Sequence, residues 1–305
     1  MKPKIIKTLV AYYQDNQIHE ATRWKSDDFE PWDVSFNVDS KLLEYDLLQR
    51  MRNDGIFDKY KYAGLLSHSA YMKLGMDPTY VQAQIKDGID NDVDLILLNP
   101  AIACNAFFKN GVEQGQVVCH SNLNYIFSAL GYRDFAESVL PYYSFIMCSY
   151  IIAKKKFWDV YFQEVDAILS KAISLAEESA EFQEAYFGDS NYKLKPNRFD
   201  YRPFVIERMP QIMLNMNNYK IKYIESTKET FALKFGQNAK LVYTMHKLKQ
   251  HAHESPAFRS KWDEIRRPFL QNGGLSYKMA CPWEFHRSQG QAVENLRYLK
   301  DIEVL

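Results

Sequence analysis

The strongest constraint on the fold is the alternation of short apolar segments and helical segments in the first hundred residues. Residues 4–13, 60–67 and 92–98 are rich in β-branched, leucine and aromatic side chains and are predicted to be buried strands. Residues 31–38 alternate apolar and polar side chains, which favours a further strand. With helices between them, these segments read β-β-α-β-α-β, an order typical of a parallel sheet with flanking helices.

The helices between these strands have recognisable ends. Ser40 is a plausible N-cap for the first, which Asn53-Asp54-Gly55 closes. Its apolar positions recur at helical spacing: Leu42, Leu43, Leu47, Leu48 and Met51. A second, shorter helix is predicted over residues 78–87, starting at Pro78.

The rest of the chain is predicted to complete the same sheet and to add helices. Strands are expected at 144–153 and 219–224, and a helix at 203–217. Residues 154–181 carry apolar side chains every three or four positions, which indicates a long amphipathic helix.

A domain division follows from this order of elements. We expect residues 1–228 to form an α/β domain. Residues 229–305 are expected to form a helical C-terminal extension packed on the same domain.

Composition and charge exclude several functions. Lys+Arg and Asp+Glu both number 38, so the chain lacks the positive charge that supplies most nucleic-acid affinity, and we expect no nucleic-acid partner. Four cysteines without a CxxC pair favour a reduced, cytoplasmic protein. No segment resembles a signal peptide or approaches 18 consecutive apolar residues. The 15% aromatic content, with 21 tyrosines, suggests a concave ligand site.

Several common enzyme motifs are missing from the sequence. It has no GxGxxG after the first strand and no GxxxxGK[ST], so a dinucleotide site and a P-loop are not expected. It also has no GxSxG and no HExxH, which argues against common α/β-hydrolases and zincin proteases.

Four segments in order carry a resemblance that covers roughly residues 5–225. They are YAGLLSHS at 62–69, DLILLNP at 94–100, AKKKFWDVY at 153–161, and FVIER at 204–208 followed by KIKY at 220–223. This order resembles bacterial GT-A-type glycosyltransferases of capsule, lipopolysaccharide and other surface-polysaccharide assembly. The resemblance implies a GT-A-like, Rossmann-like, mixed and mostly parallel sheet flanked by helices.

The same resemblance implies an activity and partners. The chain would be a hexosyl- or related transferase that moves a sugar from a nucleotide-sugar donor to a glycan or lipid-linked glycan acceptor. It would work in the cytoplasm, with peripheral attachment to the inner membrane left open. The alternative is a non-catalytic glycan- or nucleotide-binding module with a degenerate transferase fold.

The chain departs from this family where the metal would bind. Most such enzymes have Asp-x-Asp at the end of the central strand to hold Mg²⁺ or Mn²⁺, but here Asn99-Pro100-Ala101 stands there. Asp92 and Asp94 begin that strand, and we expect them at the edge of the sheet away from the ligand. We assign no metal ligands, and a protein cation or histidine would then have to meet the diphosphate; Mg²⁺ or Mn²⁺ stays open.

The candidate donor-binding residues lie at predicted strand ends: Tyr12, Tyr13, Ser67, His68 and Asn99. A tyrosine ring can stack on a nucleobase, although strand alternation puts at most one of the two neighbouring tyrosines in the core. Asn99 would contact sugar or phosphate, or it is a turn residue before Pro100. His68 would reach the same rim, or it is a partly buried, hydrogen-bonded histidine.

Glu207 and Arg208 form a charged pair on an otherwise apolar predicted helix. Such a pair is costly to bury unless it is paired or functional. Glu207 would be the general base that accepts the acceptor's hydroxyl proton, and Arg208 would bind the acceptor. The alternative is an ion pair that ties the helix to the sheet through Asp200 or Lys222.

Three further residues complete the candidate site. His120 would act as a second catalytic residue near the diphosphate leaving group, unless the segment only caps a helix. Tyr150 and Lys154, in and just after the strand predicted at 144–153, would contact the acceptor, although Tyr150 also suits the core.

Overall fold

The structure is a computed structural model that describes residues 4–118, 121–188, 193–194, 197–271 and 296–303. The strands are β1 Lys4–Tyr12, β2 Phe29–Asp33, β3 Tyr60–Ser67, β4 Leu95–Leu98, β5 Ile151–Lys154, β6 Lys193–Leu194, β7 Asn197–Arg198 and β8 Ile221–Ile224. The first nine helices are α1 Ile18–Thr22, α2 Glu44–Asn53, α3 Ile56–Lys59, α4 Ala70–Leu74, α5 Pro78–Asp90, α6 Ile102–Phe107, α7 Gly111–Val118, α8 Leu123–Ala129 and α9 Arg133–Glu137. The other helices within the described ranges are α10 Lys155–Glu178, α11 Ala180–Phe187, α12 Arg202–Met216, α13 Lys228–Phe235, α14 Ala239–Ala252, α15 Pro256–Gln271 and α16 Leu299–Glu303.

Six strands form one mixed sheet in the order β2-β1-β3-β5-β4-β8. β5 pairs antiparallel with both β3 and β4, and the other neighbouring strands pair in parallel. The predicted mixed, mostly parallel sheet flanked by helices is therefore confirmed. Because β5 runs the other way, its start lies at the edge of the sheet where the parallel strands end.

The strand predictions differ in accuracy. β3 covers the predicted residues 60–67, whereas β5 begins only at Ile151 instead of residue 144. Residues 144–147 are buried, but they make a turn and a loop before the strand. The second strand also ends at Asp33, because residues 35–37 form a 3-10 turn.

The helix predictions fail at one N-terminus. Ser40 is not the N-cap of α2, because the helix begins at Glu44 after Leu43, whose φ is 53°. The Ser40 hydroxyl instead accepts a hydrogen bond from the Leu42 amide. The long helix α10 is confirmed, and α5 begins after Asp77, whose side chain caps it.

Alternate residues of the strands pack into two cores on opposite faces of the sheet. One core contains Leu65 and Leu97 with α2, α10 and α12, and the other contains Leu66 and Leu98 with α4 and α5. A third core lies beneath α13, α14 and α15, which pack against α6. The C-terminal helices thus share a core with the chain that leaves β4.

Two lysines of these C-terminal helices are fully buried. The Lys249 ammonium donates hydrogen bonds to the backbone carbonyls of Phe108 and Lys109, and Lys234 donates to those of Lys73 and Pro100. Burial lowers the pKa of each lysine to about 7.

These buried lysines predict a pH-dependent stability. Since their pKa in the folded chain lies below that of an unfolded lysine, near 10.4, unfolding takes up protons between about pH 7 and 10. The free energy of unfolding should therefore rise from pH 7.5 to 9, by at least about 1 kcal/mol. Urea unfolding at both pH values measures it. The Lys249→Met variant should show a smaller rise, and an equal rise would contradict this assignment.

Candidate functional site

A cavity of about 220 Å³ opens where β1 and β3 end and β5 begins; we call it the strand-end cavity. Ligands of open α/β sheets bind in such a crevice outside the carboxyl ends of the strands. Its polar lining residues come from five separate segments: Tyr13, Glu44, Ser67, His68, Ser69, Lys73, Cys148 and Tyr150. The leucines of the same segments complete the wall.

Three hydroxyl groups lie together in this cavity. The Tyr150 hydroxyl makes a hydrogen bond with Ser67 Oγ, which lies 2.9 Å from Ser69 Oγ. Tyr150 is 1% exposed, and burial raises its pKa to about 12. Near pH 7 these groups are therefore neutral donors and acceptors, suited to the hydroxyl groups of a sugar.

Lys73 supplies a positive charge to the cavity. It lies on α4, and its Nζ is 3.7 Å from Cys148 Sγ and 5.8 Å from the centre of the Tyr150 ring. His68 is close by, and burial together with Lys73 lowers the pKa of its imidazole. His68 is thus neutral near pH 7, while Lys73 is the cation that an anionic ligand would meet.

Glu44 brings a carboxyl group to the same cavity. It is the first residue of α2, where the positive end of a helix favours a carboxylate. Burial raises its pKa, as does the nearby Glu207, and Lys73 acts in the opposite direction. Such a carboxyl group can hold or release a proton closer to neutral pH than an exposed glutamate, as a general acid or base must.

Backbone strain is concentrated at this cavity. Among the described residues, four non-glycine residues have positive φ. Leu43 and Cys148 line this cavity, and Ser149 lies between the lining residues Cys148 and Tyr150. Conformations of this kind cost roughly 1–3 kcal/mol each and cluster at functional sites. Glu207 Oε1 accepts a hydrogen bond from the Cys148 amide at 2.9 Å and so fixes one of them.

The two neighbouring tyrosines point to opposite faces of the sheet, as strand alternation predicts. Tyr13 packs against the core of α2 and α10 and lines the cavity, where burial raises its pKa. Tyr12 packs against the core of α4 and α5. The structure thus brings Tyr13, Ser67, His68 and Tyr150 together.

Asn99 and Lys154 are among the predicted residues that do not line the cavity. Asn99 is 2% exposed, donates a hydrogen bond to the Phe145 carbonyl and accepts one from the Ala101 amide, which fits the turn alternative. Lys154 ends the reversed strand β5 at the far edge of the sheet, where it pairs with Asp92 and Asp94. Its predicted contact with an acceptor stays a prediction that this position does not favour. The expected placement of both aspartates is confirmed.

Glu207 and Arg208 pair with each other rather than with Asp200 or Lys222. Arg208 is 1% exposed and also donates to the carbonyls of Gly111 and Phe204 and to Gln114. These contacts describe a structural anchor, so acceptor binding by Arg208 stays a prediction without support from its position. Glu207 borders the cavity through Cys148.

The remaining predictions concern His120, a metal site and membrane-spanning helices, and they can be examined only within the described residues. His120 lies outside them. Among them, no three His, Cys, Asp or Glu side chains form a group that could hold a metal ion. Within the same ranges, every helix is too short or too polar to span a bilayer.

Sequence reasoning missed Glu44, Ser69, Lys73 and Cys148. Lys73 lies five residues after His68 on the short helix α4. This helix brings the lysine side chain back to the cavity at the end of β3. Glu44 occupied a polar position of an amphipathic helix, where a carboxylate usually faces water. A search for charged residues just after predicted strands would have found Lys73.

Comparisons with known proteins add nothing to this geometry. No protein-family model, curated protein or solved structure matches the chain.

Proposed function

We propose that the chain is a glycosyltransferase whose nucleotide-sugar donor binds at the strand-end cavity. The observation that carries the proposal is the position of Lys73 in a cavity at the ends of β1 and β3. A lysine ammonium is a suitable point charge for a diphosphate. The mixed α/β sheet and the resemblance of the four sequence segments support the same GT-A-like assignment.

Each wall of the cavity has a role in this proposal. Lys73 balances the charge of the diphosphate leaving group, which a divalent metal does in most related enzymes. Ser67, Ser69 and Tyr150 bind sugar hydroxyl groups. At about 220 Å³ the cavity is smaller than common ligand sites of 300–1,000 Å³, so the nucleobase lies outside it, toward the end of β1.

Glu44 replaces Glu207 as the proposed general base. Its carboxyl group lines the cavity, whereas Glu207 makes hydrogen-bonding contacts with the Cys148 amide and Arg208. The acceptor is a glycan or lipid-linked glycan whose hydroxyl group loses its proton to Glu44 during the displacement.

One observation favours the alternative of a non-catalytic glycan- or nucleotide-binding module. The residues after β4 read Asn99-Pro100-Ala101, in place of the carboxylate pair that holds the metal in most GT-A-type enzymes. A module of this kind would bind a nucleotide or sugar without turning it over.

A thermal-shift screen tests donor binding. UDP, GDP, CMP, dTDP and their common sugars are added with Mn²⁺ or with EDTA, and a ligand of the folded state raises the melting temperature. We expect a shift with one nucleotide class that persists in EDTA. No shift with any nucleotide, or a shift that EDTA abolishes, would contradict the proposed metal-independent site.

Removing the charge of Lys73 is expected to weaken binding of that nucleotide by roughly tenfold or more, because a charge-assisted contact contributes about 1.5–3 kcal/mol. Isothermal titration of the Lys73→Met variant measures the change. Lys86→Met, which alters an exposed lysine on α5, is the matched control. Equal affinity of the two variants would remove Lys73 from the site.

Glu44→Gln separates the enzyme from the binding module. For the enzyme, nucleotide binding persists while transfer to an added glycan acceptor falls by roughly a hundredfold or more, the usual contribution of a general base. If the parent protein binds a nucleotide sugar but transfers it to no glycan in an acceptor panel, the module is the better description.

A further inference from the structure

A second cavity of about 150 Å³ lies between α10, α11 and the start of α12. Four of its lining side chains are apolar: Leu42, Leu169, Ile173 and Phe187. Tyr186 and Arg202 complete it. This cavity shares no lining residue with the strand-end cavity.

Size limits what this cavity can hold. An apolar cavity of about 150 Å³ lined by Leu, Ile and Phe is known to accept a benzene ring. The second cavity has this volume and similar side chains, and it opens to solvent at Ile173 and Phe187, so one aromatic ring or an alkyl chain of similar volume fits it.

Arg202 makes one side of the cavity suitable for an anion. Its Nε and Nη2 donate to the Asp200 carboxylate at 2.7–3.0 Å. A guanidinium has five N–H donors, and Nη1 donates to no residue within the described ranges. The guanidinium carbon lies 5.7 Å from the centre of the Phe187 ring, so these remaining donors lie beside an apolar surface.

We propose that the second cavity binds an aryl or short alkyl anion, with its apolar body among Leu169, Ile173 and Phe187 and its carboxylate or phosphate on Arg202. This site does not rest on the proposed glycosyl transfer. It borders the strand-end cavity, because Leu42 lines the second cavity while Leu43 and Glu44 line the first. An occupant of the second cavity therefore contacts the same three-residue segment that carries the strained Leu43.

Isothermal titration with four small probes tests the ligand class. Phenyl phosphate and benzoate should each bind saturably, and the stronger of the two identifies the head group. Benzyl alcohol, which lacks the charge, should bind roughly fivefold to tenfold more weakly, since a charge-assisted hydrogen bond is about twice as strong as a neutral one. Inorganic phosphate alone should not saturate. Equal binding of benzyl alcohol, or of inorganic phosphate, would overturn the proposal, as would no binding of either anion.

Variants assign that binding to this cavity. Ile173 is 53% exposed, so Ile173→Trp is tolerated and should fill the apolar part, lowering the affinity for the aryl anion by roughly tenfold or more. Ile18→Trp, at a residue 44% exposed on α1, is the matched control and should leave it unchanged. Lys73→Met should also leave it unchanged, because that lysine belongs to the strand-end cavity. Loss of binding in Lys73→Met but not in Ile173→Trp would overturn the assignment.

A double variant tests the role of the arginine. Asp200→Asn with Arg202→Gln removes both partners of the ion pair, so that no lone charge remains half-buried. The double variant should bind benzoate and benzyl alcohol equally. The double variant Arg133→Gln with Glu137→Gln, an exposed pair on α9, should keep the preference for the anion. Retained preference in the Asp200-Arg202 variant would show that Arg202 does not bind the head group.

Discussion

Replacing Arg208 by methionine is expected to lower the free energy of unfolding by about 3–5 kcal/mol. The guanidinium is 1% exposed and donates to the Gly111 and Phe204 carbonyls at 2.7 Å and to Gln114 at 3.0 Å. The variant leaves these acceptors without the guanidinium and removes the partner of the Glu207 carboxylate. Chemical unfolding monitored by circular dichroism measures the loss.

Arg133→Met is the control for this prediction. Arg133 also pairs with a glutamate on its own helix, but its side chain is 75% exposed. The control should change the free energy of unfolding by less than about 0.5 kcal/mol. A loss below about 1 kcal/mol in Arg208→Met would mean that water can take the place of the guanidinium as hydrogen-bond donor. Arg208 of the parent protein would then be a candidate for ligand binding again.

Gly64→Ala is expected to cost about 3 kcal/mol of stability, at the upper end for overpacking, because the obstacle includes backbone atoms. A Cβ at Gly64 would lie 2.5 Å from the Ile151 carbonyl oxygen and 2.7 Å from Ile152 Cγ1. The register pairs Gly64 with Ile152, so the added methyl group forces β3 and β5 apart. Urea unfolding measures the loss.

Gly88→Ala is the matched control. The Cβ there would lie 3.0 Å from Ile96 Cγ1, at a side chain that can move, and alanine favours the helix by about 1 kcal/mol. We expect the Gly88→Ala variant to keep its stability within about 1 kcal/mol, because these two effects oppose each other. A similar loss of stability in both variants would mean that the close approach of β3 and β5 at Gly64 adds nothing to the cost of replacing a glycine by alanine.

The local sequence pattern is sufficient to predict the most regular strand and helix. β3 and α10 were predicted because an apolar run between turn residues and a regular helical spacing each leave a local signature. Residues 144–147 were assigned to β5 because burial selects apolar residues whether or not a segment pairs in a sheet. No local signal in the sequence predicts the reversed direction of β5. The direction of a strand depends on which edge of the sheet the preceding segment ends at, and this is a property of the whole fold.

The candidate site was predicted in part for the same reason. Tyr13, Ser67 and His68 lie at or just after the ends of predicted strands, so the order of the strands is enough to predict that they share one edge of the sheet. Lys154 lies at the other edge because β5 runs antiparallel to its neighbours, and the sequence gives no sign of this direction. Glu44 and Cys148 reach the cavity because the backbone at Leu43 and Cys148 is left-handed. Leucine and cysteine rarely adopt this conformation, so the sequence does not predict it.

Because β5 is reversed, the loops before and after it lie at opposite edges of the sheet, and a change in loop length should have different effects at the two edges. The segment before this strand, with Cys148 and Tyr150, faces the cavity together with the segments after β1 and β3. The junction after Lys154 lies at the other edge, with the turns that precede β4 and β8. Insertions at that second edge should therefore leave the strand-end cavity unchanged, whereas insertions or deletions just before residue 151 should reshape its wall.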